Sequence, residues 1–587
     1  MIILYKSKGK RDLCGNYRGI ALLCVVGKVL SRIMLSRLTT HIANKVLQES
    51  QCGFRAGRGT ADMIFSARQI QEKCREQRIG LYQVFIDLTK AFDTVNRTAL
   101  WQILRKLGCP DKYTNILKSF HDDMKVWVSL SGELSDPISV ENGVKQGDIP
   151  APTLFAIYFY IVFLIAFDND DAPAVSIRYR TTNKLFHLKR LRSKSKLMIS
   201  LIRDLLYADD CDLVSHSEED MQKMLDLFSS ACSDLGLTIS LDKTKVMFSP
   251  APGVEYVEPN IFVYGQRLEV VLEFVYLGSK LHQSCSLDQE IAYRISRASA
   301  SFANLRDRCW SRRGISPKTK VDLYKIIVLP SLTNSLETST IYRKHISKLE
   351  RFQQFCLREI LNIRWQKRVT NEAVIKRAGC VSIASLLMKS QLQWSGHVVR
   401  MPDSRLPKQL LYGELSLGTR ALGGEMLHYK DTLRQTLKKC SIGVNWEDLS
   451  TDRAKWRRLV YESVDQFEKG RADHADMKRA VRKHQPHHLI ESSNTITCQV
   501  CNRICLSRAG FLQHMKTHDR RAPPPRDCAI AQRHMRGPIL HDVMKCNCRA
   551  CIRAKALLLV PPHVCPTCGK VCKSKGGLTL HQKVHNK

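Results

Sequence analysis

Between Asn16 and about Gly278, short apolar runs of strand-like alternation trade places with stretches that repeat at helical spacing, the pattern of a mixed α/β core. In LYQVFID, Tyr82, Val84 and Ile86 alternate with Phe85, so Asp87 falls at the end of an apolar strand. LLYADDCDLV, residues 205 to 214, sets Asp209 and Asp210 at the tip of an apolar hairpin. Met221, Met224, Leu225, Phe228, Cys232 and Leu235 then recur at helical spacing behind Ser217-Glu218-Glu219, with Gly236 as a stop and strand-like TISL beyond it. The longest apolar run, Leu154 to Phe167, has 14 residues, short for a membrane span and suited to a buried core helix. From about Leu287 to Met401 the pattern is helical, with Leu349, Phe352, Cys356 and Ile360 on one face. Pro402, Pro407, Gly413, Gly418, Gly423 and Gly424 punctuate a looser stretch, and a polar, Trp-containing segment runs on to about His488.

Charge narrows the choice of partner. Across 587 residues, 92 Lys and Arg face 55 Asp and Glu, a net +37 that favours a polyanion, most simply nucleic acid, over a membrane surface. The start, MIILYKSKGK, has no leader pattern, so an intracellular chain with reduced thiols is expected. Ten of the 22 cysteines fall in the last 90 residues, at spacings that suggest metal rather than disulfides. The basic stretch 178–203 holds nine Lys or Arg and no acid, and its Tyr179, Leu185, Phe186 and Leu188 suggest a folded, strand-like insertion that touches a nucleic-acid backbone.

Adjacent aspartates in a turn have an ordinary explanation, since Asp is a common turn residue. Asp87 changes the balance, because an unpaired carboxylate at the end of a buried strand is costly and a cation relieves that cost. Three carboxylates on neighbouring strands suit a hard divalent ion such as Mg²⁺. Two such ions about 4 Å apart activate a hydroxyl and stabilise a leaving pyrophosphate.

IDLTKAFDTV, GVKQGDIPAPTLF, LLYADD, GLTISLDKTKV and FVYLGSKL, in that order, resemble the palm motifs of reverse transcriptases, specifically those of non-LTR (LINE-like) retrotransposons. NYRGIALL and QCGFRAGRGTADMIF resemble the fingers. The implied fold is α+β, a right-hand polymerase with fingers (1–80), a ferredoxin-like palm (81–285) and a helical thumb (286–401). A basic connector (402–490), a zinc finger (498–518), a Cys/His-containing linker (519–564) and a second finger (565–585) follow. The resemblance makes Asp87, Asp209 and Asp210 ligands of catalytic Mg²⁺ or Mn²⁺, and Lys243 the proton donor to departing pyrophosphate. It places Phe92 under the incoming sugar, where it selects deoxynucleotides, Gln146 and Gly147 at template and nucleotide, and Arg55 and Arg58 near the triphosphate. Tyr276, Leu277 and Gly278 would be the primer grip. The bland alternatives are a core aromatic for Phe92, a solvated Lys243, exposed loop arginines and an ordinary strand at Tyr276. Expected partners are template RNA, primer or target DNA and deoxynucleoside triphosphates, without a membrane, and the family's way of life suggests the nucleus. The chain begins at the fingers, so DNA nicking is expected from elsewhere.

Two departures from the family pattern stand near the nucleotide site: Asp148-Ile149-Pro150 after Gln146-Gly147, and Asp212 just past the hairpin. They raise an alternative, an inactive remnant that binds nucleic acid through its fingers.

Cys498-x2-Cys501-x12-His514-x3-His518 and Cys565-x2-Cys568-x12-His581-x3-His585 match the spacing of ββα fingers, in which two thiolates and two imidazoles complete tetrahedral Zn²⁺. Cys505 and Cys572 stand where the small core normally holds an aromatic, so each finger core is expected to be weaker. Cys546, Cys548 and Cys551 are either a third, irregular site or reduced connector thiols. From Cys498 to Lys587, 17 Lys or Arg stand against three acids, which favours nucleic acid as the fingers' partner.

Overall fold

The computed structural model describes residues 2–484 apart from 7–8, 131, 168–172, 182–183, 188–190, 192–195 and 419–425. Beyond them it describes 496–498, 501–502, 504–505, 511, 514, 563–564 and 571–572. Two compact units result, Met1–Ala475 and Asp476–Lys587.

The first unit is built around a five-stranded sheet. Its central strand, Leu81–Ile86, pairs antiparallel with Asp210–Ser215 on one side and Lys245–Ser249 on the other. Asp204–Tyr207 closes the first side as the partner of Asp210–Ser215, and Glu269–Val270 adds in parallel to the second. Because side chains alternate across a pleat, the sheet buries both faces against different layers. Val84, Ile86, Cys211, Leu213 and Val246 pack with the helices Ala151–Phe167 and Glu218–Asp234. Phe85, Val214, Met247 and Leu205 face the helix Thr60–Gln77 through Met63, Ala67, Ile70 and Cys74. The long apolar run thus forms a core helix, with Leu154 through Phe159 all buried. Ser217 caps the next helix by accepting the Asp220 amide, and Met221, Met224, Leu225, Phe228 and Cys232 are its buried stripe. Among the described residues no helix is long and apolar enough to cross a membrane.

The basic insertion contains a strand, Met198–Ile202, paired with Val175–Tyr179. Its Leu185 is fully buried and Phe186 packs beside Trp446 under the Arg434 guanidinium, so these side chains serve a protein core. Helices Asp288–Asn304, Arg343–Ile360 and Ile383–Arg400 enclose a separate cluster that includes Ile291, Phe302, Tyr324, Leu349 and Cys356.

Among the described residues of 402–484, the Pro- and Gly-punctuated stretch and the Trp-containing segment after it carry regular elements. Leu406–Tyr412, Tyr429–Lys439, Trp446–Thr451 and Arg453–His484 are helices. Tyr429, Leu433, Trp446 and Trp456 share a core with Phe65 of Thr60–Gln77. Arg405 extends the contact by pairing with Glu49 at 2.5 Å and Asp62 at 3.0 Å. The described residues of 402–475 therefore brace Glu49 and the helix Thr60–Gln77, and they lie in one compact unit with residues 286–401.

In the second unit, Ile496–Thr497 pairs with Ile504–Cys505, and His563–Val564 with Val571–Cys572. Each pair is the hairpin position expected of a finger.

Candidate active site

The hairpin of Asp204–Tyr207 and Asp210–Ser215 turns through Ala208 and Asp209, with Tyr207 opposite Asp210. On its other side the ladder ends with Cys211 opposite Ile86, the chain neighbours of Asp210 and Asp87, and the Asp87 charge is felt at both Asp209 and Asp210. The sheet thus brings together the three carboxylates singled out in the sequence. The segment 238–244 holds Asp87 from the opposite side. Ser240 donates its amide to the Asp87 carbonyl at 2.8 Å, and the Asp87 amide reaches Thr244 Oγ1 at 3.3 Å. That turn delivers Lys243, whose Nζ lies 2.8 Å from Asp87 Oδ1.

The electrostatics are those of crowded acids. Burial raises the Asp209 carboxyl, with Asp87 adding to the effect. Asp210 has an open residue surface, yet the protein around its carboxyl, then Asp209 and then Asp87, raise it to about 6. Such a cluster gains by sharing a cation. Lys243 already places one positive charge on Asp87, which supports the fit of a divalent ion here. Among the described residues, only Cys498, Cys501 and His514 have ligand atoms that all lie within 4.8 Å of one another. The palm carboxylates are neighbours across a ladder rather than a closed cage.

Each of the remaining predicted residues has its own packing or hydrogen-bond partners. Phe92 is half-buried and stacks on Phe155 with centroids 4.7 Å apart. The Gln146 carbonyl accepts the Ala21 amide at 2.7 Å, and Gly147 follows at φ +104°. Leu277 and Gly278, both at positive φ, form the two-residue turn between Glu273–Tyr276 and Ser279–His282, and Tyr276 donates its hydroxyl to the Leu205 carbonyl. Arg55 donates to the carbonyls of Gln48 and Gln51, and Arg58 to Glu49 at 2.6 Å. Both guanidinium groups therefore brace their own loop.

The two departures are absorbed by packing. Asp148 is buried and accepts hydrogen bonds from Ser31 Oγ at 3.0 Å and the Ile149 amide at 2.7 Å, so its charge turns inward. Pro150 receives the amides of Thr153 and Leu154 at the start of a helix, a position that needs no N–H from proline. Asp212 is fully buried. Gln83 donates to its Oδ2 at 2.9 Å, while Oδ1 has no partner, and burial drives its carboxyl well above the usual range. Asp212 therefore binds a proton more tightly in the folded chain than in the unfolded one, and its contribution to stability falls as pH rises from about 4, the unfolded value. Asp212→Asn is expected to melt progressively higher than the parent as pH is raised above 4, by at most about 1.4 kcal/mol per pH unit. Melting curves from pH 5 to 8 that stay parallel would contradict this.

Sequence reasoning missed Gln51, which is buried and bonded through its side chain to both backbone groups of Ala208. A buried polar side chain in a loop is the only signal, and the sequence does not display burial.

In the second unit Cys501 Sγ lies 3.1 Å from His514 Nε2, with Cys498 in the same group. His518, Cys565, Cys568, His581, His585 and the Cys546, Cys548, Cys551 cluster lie outside the described residues.

Residues 6–281, which hold this sheet and its paired acids, match the family described as reverse transcriptase (RNA-dependent DNA polymerase). Residues 563–585 match the C2H2 zinc finger family. Curated relatives are the RNA-directed DNA polymerases of the mobile element jockey from Drosophila funebris and Drosophila melanogaster. The first is 26% identical over 62% of this chain and 38% of its own length, and the second 24% identical over 63% and 38%. The Pol polyprotein of the retrotransposable element R2 from Popillia japonica is 23% identical over 48% of this chain and 42% of its length. The chain thus spans about two fifths of these relatives. It matches a reverse transcriptase domain over residues 6–281 and a C2H2 zinc finger over 563–585, and it resembles the RNA-directed DNA polymerases of mobile elements. Divalent metal use and zinc go with those two domains. Among solved structures, telomerase from Candida tropicalis in complex with a fragment of telomeric RNA aligns over 65% of this chain and 56% of its own, at 13% identity and a TM-score of 0.31.

Proposed function

We propose that this chain is an RNA-directed DNA polymerase, extending a DNA 3′-hydroxyl on an RNA template with deoxynucleoside triphosphates. The observation that carries the reading is the ladder that ends with Cys211 opposite Ile86, which sets Asp87 and Asp210 at the same end of the sheet with Asp209 at the turn beside them. Asp87, Asp209 and Asp210 would hold Mg²⁺ or Mn²⁺, which when bound lowers the pKa of the attacking hydroxyl and neutralises charge on the leaving pyrophosphate. Lys243 Nζ, 2.8 Å from Asp87 Oδ1, would give a proton to the pyrophosphate oxygen. The Gln146-Gly147 turn, pinned to Ala21, supplies a backbone surface for template and nucleotide.

Phe92, fixed by its stack on Phe155, underlies the sugar and leaves no room for a 2′-hydroxyl. Phe92→Val is expected to raise ribonucleotide use relative to deoxynucleotide use by at least about tenfold, the scale of a single pocket contact. Competitive incorporation on a common primer measures the ratio, and an unchanged ratio removes Phe92 from sugar selection.

The +37 charge and the zinc fingers suit binding of template RNA and target DNA, and use of target DNA as primer would fit residence in the nucleus. The test is primer extension on RNA by the purified, zinc-loaded chain with Mg²⁺ and then Mn²⁺. Metal-dependent incorporation supports the reading. Binding of template and primer with no incorporation under either ion favours the inactive remnant instead.

A further inference from the structure

The strand Asp204–Tyr207 is the edge of the central sheet, and its free side is covered by the loop at residues 50–53. The Leu206 amide donates to the Ser50 carbonyl at 3.0 Å, and the Cys52 amide to the Leu206 carbonyl at 2.9 Å. The next pairing position on this edge is Ala208, the residue just before Asp209. There the loop stays close, with Gly53 against Ala208, but the hydrogen bonds to Ala208 come from a side chain.

The side-chain amide of Gln51 takes over that position. Its Oε1 accepts the Ala208 amide at 3.0 Å and the Gly53 amide at 2.8 Å, while Nε2 donates to the Ala208 carbonyl at 3.1 Å. Ala208 is held at φ +60°, a left-handed conformation that is unfavourable for a non-glycine residue. Two hydrogen bonds from one buried amide offset such a cost. Gly53 belongs to the same device, since a Cβ there would stand 2.1 Å from the Ala208 nitrogen.

We propose that Gln51 is a positioning residue for the catalytic hairpin: by fixing the backbone of Ala208 it sets where Asp209 and Asp210 stand relative to Asp87. The proposal rests on the polymerase reading for its catalytic consequence, but not for its effect on metal binding. Glutamate has nearly the same shape as glutamine and keeps an acceptor for the Ala208 amide, yet it faces the Ala208 carbonyl with a second acceptor. Asparagine is too short by one methylene.

The test compares the full zinc-loaded chain with Gln51→Ala and Gln51→Glu. Mn²⁺ binding is followed by electron paramagnetic resonance, with the Asp209→Asn, Asp210→Asn variant defining the component that belongs to the hairpin. Both Gln51 variants are expected to weaken that component about tenfold or more, the usual effect of removing a group that orients metal ligands. The Mg²⁺ concentration for half-maximal incorporation should rise in parallel, with template–primer affinity within about twofold of the parent. Unchanged Mn²⁺ affinity overturns the proposal, and so does a loss of folding or of template–primer binding in both variants, which marks a purely structural residue. If the parent chain incorporates nothing, the polymerase reading fails, and the Mn²⁺ comparison still decides the role of Gln51.

Discussion

Replacing Asp209 and Asp210 together by asparagine is expected to reduce incorporation on an RNA template by at least about 10³-fold. The estimate follows from the several kcal/mol that metal-borne charge stabilisation supplies to phosphoryl transfer, each 1.4 kcal/mol being a factor of ten. Asparagine preserves shape and keeps one oxygen acceptor, so the hairpin should fold. Without divalent ions the variant should even gain stability at neutral pH. Both parent carboxyls are raised, Asp210 to about 6, so the folded parent takes up protons more readily than its unfolded chain. That difference costs nothing below about pH 4 and is fully expressed above about pH 6, so the variant's advantage grows across that window. Melting in a chelator at pH 4 and pH 7, alongside template–primer binding, checks the sign. A variant that loses binding as well as incorporation has lost its fold, and one that retains incorporation displaces the chemistry from this hairpin.

The carboxylates were legible because a two-residue alternation runs directly into an acid at Asp87, a local pattern that needs no knowledge of the fold. The helix after Ser217 was legible for the same reason, through its cap and apolar spacing. What the sequence concealed depends on partners far along the chain. Asp148 looked like a repulsive charge because its donor, Ser31, lies 117 residues away. Glu447 is buried against the Leu185 amide, and nothing nearby in sequence announces that partner. The glycines at 413 and 418 suggested looseness, whereas they mark close approach. A Cβ on Gly413 would stand 2.9 Å from the Arg178 carbonyl oxygen, and one on Gly418 would stand 2.6 Å from that of Gln77. Glycine thus has two opposite meanings, freedom in a loop and lack of room in a packed crossing, and composition does not separate them.

Gly147→Ala tests that second meaning at the site itself. Gly147 sits at φ +104°, where an L side chain is strained, and a Cβ there would stand 2.4 Å from the Ala21 carbonyl oxygen. Ala21 is also the residue whose amide binds the Gln146 carbonyl at 2.7 Å, so relieving the clash breaks the bond that pins the turn. The strain alone is on the order of 1–3 kcal/mol. A shift of about 1 Å in a positioning element costs roughly 10²-fold in rate, which is the expected fall in incorporation, together with a higher KM for nucleotide. Gly236→Ala is the control, because its φ of +72° carries similar backbone strain with nothing within 4 Å of the added Cβ. If both variants lose stability but only Gly147→Ala loses incorporation, the Gln146-Gly147 turn acts on the nucleotide through its position. Equal losses in the two would reduce Gly147 to a backbone requirement of the fold.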